Sequence, residues 1–109
     1  LGSIKSNISH FDVSRTKVSD KAVDLAASMQ RLYWFSARRT IVSDKSLNSL
    51  SKLKYLTYLN LAETKVTDRG LRSIAGIKTL KEIYLWGSAV TDEGIAFLRK
   101  ELPDAKIIF

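Results

Sequence analysis

Leu53-Lys-Tyr-Leu-Thr-Tyr-Leu-Asn-Leu-Ala-Glu-Thr-Lys-Val-Thr-Asp-Arg-Gly-Leu71 is the stretch from which the fold can be read. Residues 58–62 alternate polar and apolar, the period-two pattern of a half-buried strand. Thr64 to Thr67 reads as a turn with Val66 pointing inward. Thr67 or Asp68 is placed to accept from the first free N–H groups of a short helix. Leu71, Ile74 and Ile77 then lie on one side of that helix. The local order is strand, turn, helix.

Outward from this stretch the same pattern returns at a fixed interval of 24 residues. Asp20, Asp44, Asp68 and Asp92 hold one phase, as do Val18, Val42, Val66 and Val90. Thr16, Thr40, Thr64 and Ser88 form a hydroxyl column, and Ser19, Ser43, Thr67 and Thr91 form another. Two apolar columns precede the hydroxyls: Phe11, Phe35, Leu59, Ile83 and Ile107, then Val13, Ala37, Leu61, Leu85 and Phe109. One strand–turn–helix unit cannot bury its own apolar side, whereas stacked units share a continuous core. The expected architecture is a right-handed α/β solenoid of about four units plus a terminal strand. It carries a parallel β-sheet on the concave face and short helices on the convex face.

The quoted stretch resembles a leucine-rich repeat of the bacterial T-x-V-T-D-x-G-L type. The resemblance returns in Leu80-Lys-Glu-Ile-Tyr-Leu-Trp-Gly-Ser-Ala-Val-Thr-Asp-Glu-Gly-Ile95, and residues 98–109 are similar to a closing repeat. Ser46 and Ala22 stand where Gly70 and Gly94 do, and Ala37 replaces a leucine. The resemblance implies a host among planctomycete or bacteroidete envelope proteins, often C-terminal to a c-type cytochrome-like domain. It thereby suggests the bacterial cell envelope or periplasm. The haem motif C-x-x-C-H is absent, so the resemblance brings no cofactor. Residues 1–109 are expected to form a single domain cut from a longer chain. Leu1 would start within the helical half of a unit, with Ile4 and Ile8 in phase, and the chain stops on a strand.

Composition narrows the chemistry. With 45% hydrophobic and 27% charged residues, the chain is too apolar for a disordered tail. No apolar run approaches the ~20 residues that span a bilayer, so no membrane insertion is expected of this segment. Cysteine is absent, which excludes thiolate metal sites and a cysteine nucleophile. The single imidazole, His10, is expected to point outward beside Asp12 and Trp34 without a positioned nucleophile, so no catalytic residue is assigned. The Asp column follows hydroxyls at turn-to-helix junctions, where capping accounts for it. One carboxylate per unit is too few for a calcium site, which needs six to eight oxygens, and no metal or cofactor is expected.

Two surface features remain. The net charge of +7 raises nucleic acid as a partner. However, most basic residues sort to the convex side and turns, among them Lys45, Lys52, Lys54, Arg72 and Lys78. Arg15, Arg38, Arg39 and Lys106 on the concave side are set against Asp12, Glu63 and Glu82, so nucleic acid is disfavoured as a partner. The second feature is aromatic. Outward columns run His10, Trp34, Tyr58, Glu82, Lys106, then Asp12, Ser36, Asn60, Tyr84, Ile108, and then Ser14, Arg38, Ala62, Trp86. Strands about 4.8 Å apart would gather Trp34, Tyr58, Tyr84 and Trp86 into one patch beside Arg38. Trp, Tyr and Arg are the types enriched at binding hot spots. The expected function is non-catalytic binding of a protein, or of another domain of the same polypeptide, through this face. Carbohydrate or envelope-glycan binding is the alternative, and nucleic-acid binding by the basic surface ranks below both.

Overall fold

The computed structural model describes residues 8–17 and 20–109. The helical start expected at Leu1 and Ile4, and the column members Val18 and Ser19, lie outside the described residues. Five short strands follow one another: β1 (His10–Asp12), β2 (Trp34–Ser36), β3 (Tyr58–Asn60), β4 (Glu82–Tyr84) and β5 (Lys106–Ile108). They pair in chain order as one parallel sheet. The register keeps the repeat period: His10, Trp34, Tyr58, Glu82 and Lys106 lie side by side across it. Between the strands come α1 (Asp20–Ala27), a 3-10 helix (Asp44–Lys52), α2 (Asp68–Ile74) and α3 (Asp92–Glu101). Helices need about 10 Å of width and strands less than 5 Å, so the sheet becomes the concave side of the stack.

The second unit has a 3-10 helix where the other units have α-helices, for a compositional reason. Its segment Asp-Lys-Ser-Leu-Asn-Ser-Leu-Ser-Lys is rich in side chains that bond to nearby backbone instead of extending a helix. Ser51, for example, donates to the Asn48 carbonyl at 2.7 Å. A 3-10 turn brings residues three apart into line. Leu47 and Leu50 are three apart, and both are fully buried.

Between sheet and helices lies one apolar core containing Phe35, Leu59, Leu61, Leu71, Ile74, Ile83 and Leu85, all without solvent exposure. The first four strands, β1 to β4, each end in the same turn. Arg15, Arg39 and Glu63 sit in the left-handed region at φ 61°, 59° and 56°, and Gly87 holds the equivalent place at φ 72°. The next residue's hydroxyl closes the turn by donating to the carbonyl three residues back. Thr40 does so to Ala37 at 2.7 Å, Thr64 to Leu61 at 2.7 Å and Ser88 to Leu85 at 2.5 Å. The Leu85 carbonyl also accepts from the Ser88 N–H at 3.2 Å.

Capping belongs to the hydroxyls, and the aspartates do something else. Ser43 accepts from Lys45 N–H, Thr67 from Arg69 N–H and Thr91 from Gly94 N–H, each within its own helix start. The following carboxylate instead reaches forward to the next unit. Asp20 accepts from the Ser43 N–H at 3.0 Å and the Ser43 hydroxyl at 2.9 Å. Asp44 accepts from the Thr67 N–H at 2.7 Å and Asp68 from the Thr91 N–H at 2.8 Å, with the threonine hydroxyl donating in both cases. The column expected to cap helices is a ladder that joins units. It also explains the glycine of the repeat. A β-carbon on Gly70 would collide with Asp44 Oδ1, and one on Gly94 with Asp68 Oδ1. Ser46, which departs from that glycine, turns the collision into a bond by donating to Asp20 Oδ1 at 2.7 Å.

Candidate functional site

The concave face is built from side chains that alternate with the core columns. His10 stacks on Trp34 with ring centres 3.8 Å apart and planes at 8°. Trp34 stacks in turn on Tyr58 at 4.5 Å and 5°. Tyr58 meets Tyr84 at 5.3 Å with the rings tilted by 43°. The parallel register produces this line, because β1, β2 and β3 present a ring at the same position. Glu82 occupies that position in β4, and the line steps sideways to Tyr84, two residues on.

Trp86 and Arg38 form a second cluster beside the first. The Arg38 guanidinium lies 4.8 Å over the Trp86 ring, and its Nε is 3.3 Å from Glu63 Oε1. Arg38 belongs to the second unit and Trp86 to the fourth, with Ala62 between them in the same column. Ala62 and Ser36 have little or no exposure, although strand alternation places both outward. Their small side chains leave the level at which larger neighbours close over them. Ser36 also shares a 2.6 Å hydrogen bond with Ser14. Glu63 was not among the candidate residues. Its place beside Arg38 across the sheet follows from the fold, since 25 residues separate the two in the chain.

Trp34, Tyr58 and Tyr84 thus lie on the sheet as one ring line, while Arg38 and Trp86 meet beside it from the turns that follow β2 and β4. Trp34 is sandwiched, with one face against His10 and the other against Tyr58. What it presents to solvent is an edge. Trp86 is 36% exposed, with Arg38 over one face.

Comparison with known proteins bears on the architecture. A leucine-rich repeat family model matches residues 52–75. A leucine-rich repeat protein of Leptospira interrogans superposes with a TM-score of 0.66 at 21% identity over 79% of this chain. The fold is a leucine-rich repeat solenoid. The chain spans about a fifth (21%) of that Leptospira protein's length. The Mex67:Mtr2 subunits of Chaetomium give a TM-score of 0.70 at 17% identity, covering 99% of this chain and 81% of that one. An internalin of Listeria monocytogenes gives 0.58 at 17% identity, covering 99% of this chain and 37% of the internalin. No curated protein gives a significant sequence match.

Electrostatics divide the leucine-rich repeat concave face into small opposed groups. The Ser14 side chain, helped by the Ser14 N–H, holds Asp12 below the usual carboxylate range against the upward push of burial. Tyr84 donates to Glu82 at 2.8 Å, and this bond raises the phenol above its ordinary pKa. Asn60 accepts from the Ala62 N–H at 3.0 Å, which turns the chain out of β3. Among the described residues no three His, Cys, Asp or Glu side chains gather as metal ligands. Among the described residues no helix is long and apolar enough to cross a membrane. Chemically, the face offers ring edges, two phenols, an amide, carboxylates and one guanidinium held over an indole.

Proposed function

We propose that this leucine-rich repeat domain is a non-catalytic interaction module. Its concave aromatic face binds a protein, or a neighbouring domain of the same polypeptide. Leucine-rich repeat domains generally mediate protein–protein interaction. The observation that carries the reading here is the state of the rings. A sugar or a base docks on a bare aromatic face, and both faces of Trp34 are already covered. The Trp86 face under Arg38 is likewise occupied. Edges and polar tips suit the mixed apolar and hydrogen-bonding surface of a folded partner, where Tyr, Trp and Arg act as anchors. For the same reason the protein reading is preferred to the glycan alternative.

The bacterial T-x-V-T-D-x-G-L type, and a host protein of the cell envelope, belong to this proposal as its expected setting. No catalytic role is proposed, because the single imidazole, His10, has no nucleophile positioned beside it among the described residues. The test is affinity capture with the wild-type chain, followed by titration of each captured protein. Trp86→Ala combined with Tyr84→Ala is expected to weaken binding by about 2 kcal/mol or more, roughly thirtyfold. Lys45→Ser with Arg72→Ser on the convex side is expected to leave it unchanged. Binding that survives the concave changes but not the convex ones would overturn the reading. A glycan that binds the wild type and not Trp86→Ala would replace it with the sugar reading.

A further inference from the structure

A third surface, neither concave nor convex, is formed where the chain leaves each helix and enters the next strand. Loops 28–33, 53–57 and 75–81 lie there side by side. Backbone bonds hold them together: Tyr33 N–H donates to Ser9 O, Thr57 N–H to Tyr33 O and Lys81 N–H to Thr57 O, at 2.8–3.0 Å. These three loops carry Arg31, Lys54, Lys78 and Lys81 and no Asp or Glu, whereas the fourth loop of the flank, 102–105, carries Asp104, which lines one cleft with Lys78, Lys81 and Glu101. All four cations are exposed. Lys78 pairs with Glu101 of the following unit, while the other three have no carboxylate within 4 Å among the described residues. Sorting charges between the concave and convex faces misses this concentration.

The same flank carries two tyrosines unlike those of the concave face. Tyr33 and Tyr55 are 47% and 59% exposed, and neither ring touches another ring among the described residues. Together with Ser9 and Arg31 they line a cleft of about 590 Å³. Their faces are therefore open within a cationic rim. Arg31 and Tyr55 hold equivalent places in successive units, which sets a cation beside a ring, and Lys54 and Lys78 hold another pair of equivalent places, which sets two cations side by side at strand spacing.

We infer that this flank is a binding site for single-stranded nucleic acid, with bases stacked on Tyr33 and Tyr55 and phosphates on Arg31, Lys54 and Lys81. Sequence-tolerant single-strand binding uses this pairing of open aromatic faces with a positive groove. An acidic peptide would satisfy the cations but supplies no planar group for the two rings. The site is independent of the concave face, so either can fail without the other.

Fluorescence anisotropy of a labelled twelve-nucleotide oligo(dT) with the 109-residue chain tests the inference. Three to four phosphate contacts predict affinity falling about 20- to 50-fold between 50 and 200 mM salt. Tyr33→Ala with Tyr55→Ala is expected to weaken binding about tenfold or more while the unfolding midpoint holds, since both rings are exposed. Arg31→Ser with Lys54→Ser is expected to weaken it and to lower the salt slope by about 1.4. Trp86→Ala should leave it alone. A 4-thiothymidine oligonucleotide should photo-crosslink at Tyr33 or Tyr55 in the unaltered chain. Several results would overturn the inference: no anisotropy change at 50 mM salt, affinity indifferent to the tyrosines, or a crosslink at the concave rings. Displacement by an equal concentration of oligoglutamate of the same length would reassign the flank to acidic polypeptide.

Discussion

The Asp68 carboxylate occupies the space that a β-carbon on Gly94 would need. The contact binds two units through a residue with no side chain. The same relationship holds between Asp44 and Gly70, whereas Ser46 meets Asp20 by donating a hydrogen bond to it.

Gly94→Ala carries the first prediction. In an ordinary helix Ala is favoured over Gly by about 1 kcal/mol. Here the new methyl must displace a hydrogen-bonded carboxylate, so a net loss of about 1–3 kcal/mol is expected, as for other overpacked sites. In an Asp68→Ala background the same change should cost little or become favourable. Urea denaturation of the four proteins of this cycle gives the coupling directly. Equal costs in both backgrounds would contradict the contact.

Acid should loosen the ladder. Burial pushes the Asp20 pKa up, but hydrogen bonds from the Ser43 N–H and the Ser46 and Ser43 hydroxyls outweigh it, and the net shift is downward. Asp68 is lowered by the Thr91 hydroxyl and then by the Thr91 N–H. Both groups bind protons more readily in the unfolded chain. Their contribution is complete above the unfolded carboxylate value near ~3.9 and is lost as pH falls through the lowered folded values. Thermal melts from pH 7 to pH 2.5 should therefore show the gap between wild type and Asp68→Asn closing below about pH 4. A gap independent of pH would mean the charge contributes nothing.

The left-handed turn column predicts opposite signs at two equivalent positions. Gly87 has φ 72°, and a β-carbon there would sit 2.9 Å from Glu63 Cγ. Gly87→Ala should destabilise by about 1–2 kcal/mol. Arg39 pays the left-handed cost already at φ 59° and is exposed. Arg39→Gly should be neutral to stabilising, by up to about 1 kcal/mol, because the looser unfolded chain offsets part of the relief. Chemical denaturation of both variants decides it, and a destabilised Arg39→Gly would refute the turn assignment.

Leu61 is fully buried in its core column, whose neighbouring members Ala37 and Leu85 are equally buried. Leu61→Ala should cost about 2–5 kcal/mol by the cavity rule. Leu61→Asp should abolish cooperative unfolding, since it buries a charge without a partner. Circular dichroism melts report both. An unchanged midpoint for Leu61→Asp would break the register.

Much of this molecule is determined by its sequence alone. A stack of equal units makes residue i contact residue i+24, so one period places Phe35 beside Leu59, and Trp34 beside Tyr58, before any coordinates exist. Alternation then separates the core columns from the concave rings. Alternation fails at Ser36 and Ala62, because burial of a small outward residue depends on what its neighbours do above it. The aspartates show why the rest required the tertiary structure. In sequence, Asp68 stands at a helix start and has free N–H groups of its own within reach. Those groups are served by Thr67, and the unsatisfied donors nearest its carboxylate belong to Thr91, 23 residues later. Which donor a side chain satisfies depends on what the surrounding groups have already taken. The same competition for space and partners lays Arg38 over Trp86 and leaves Tyr33 and Tyr55 with open faces.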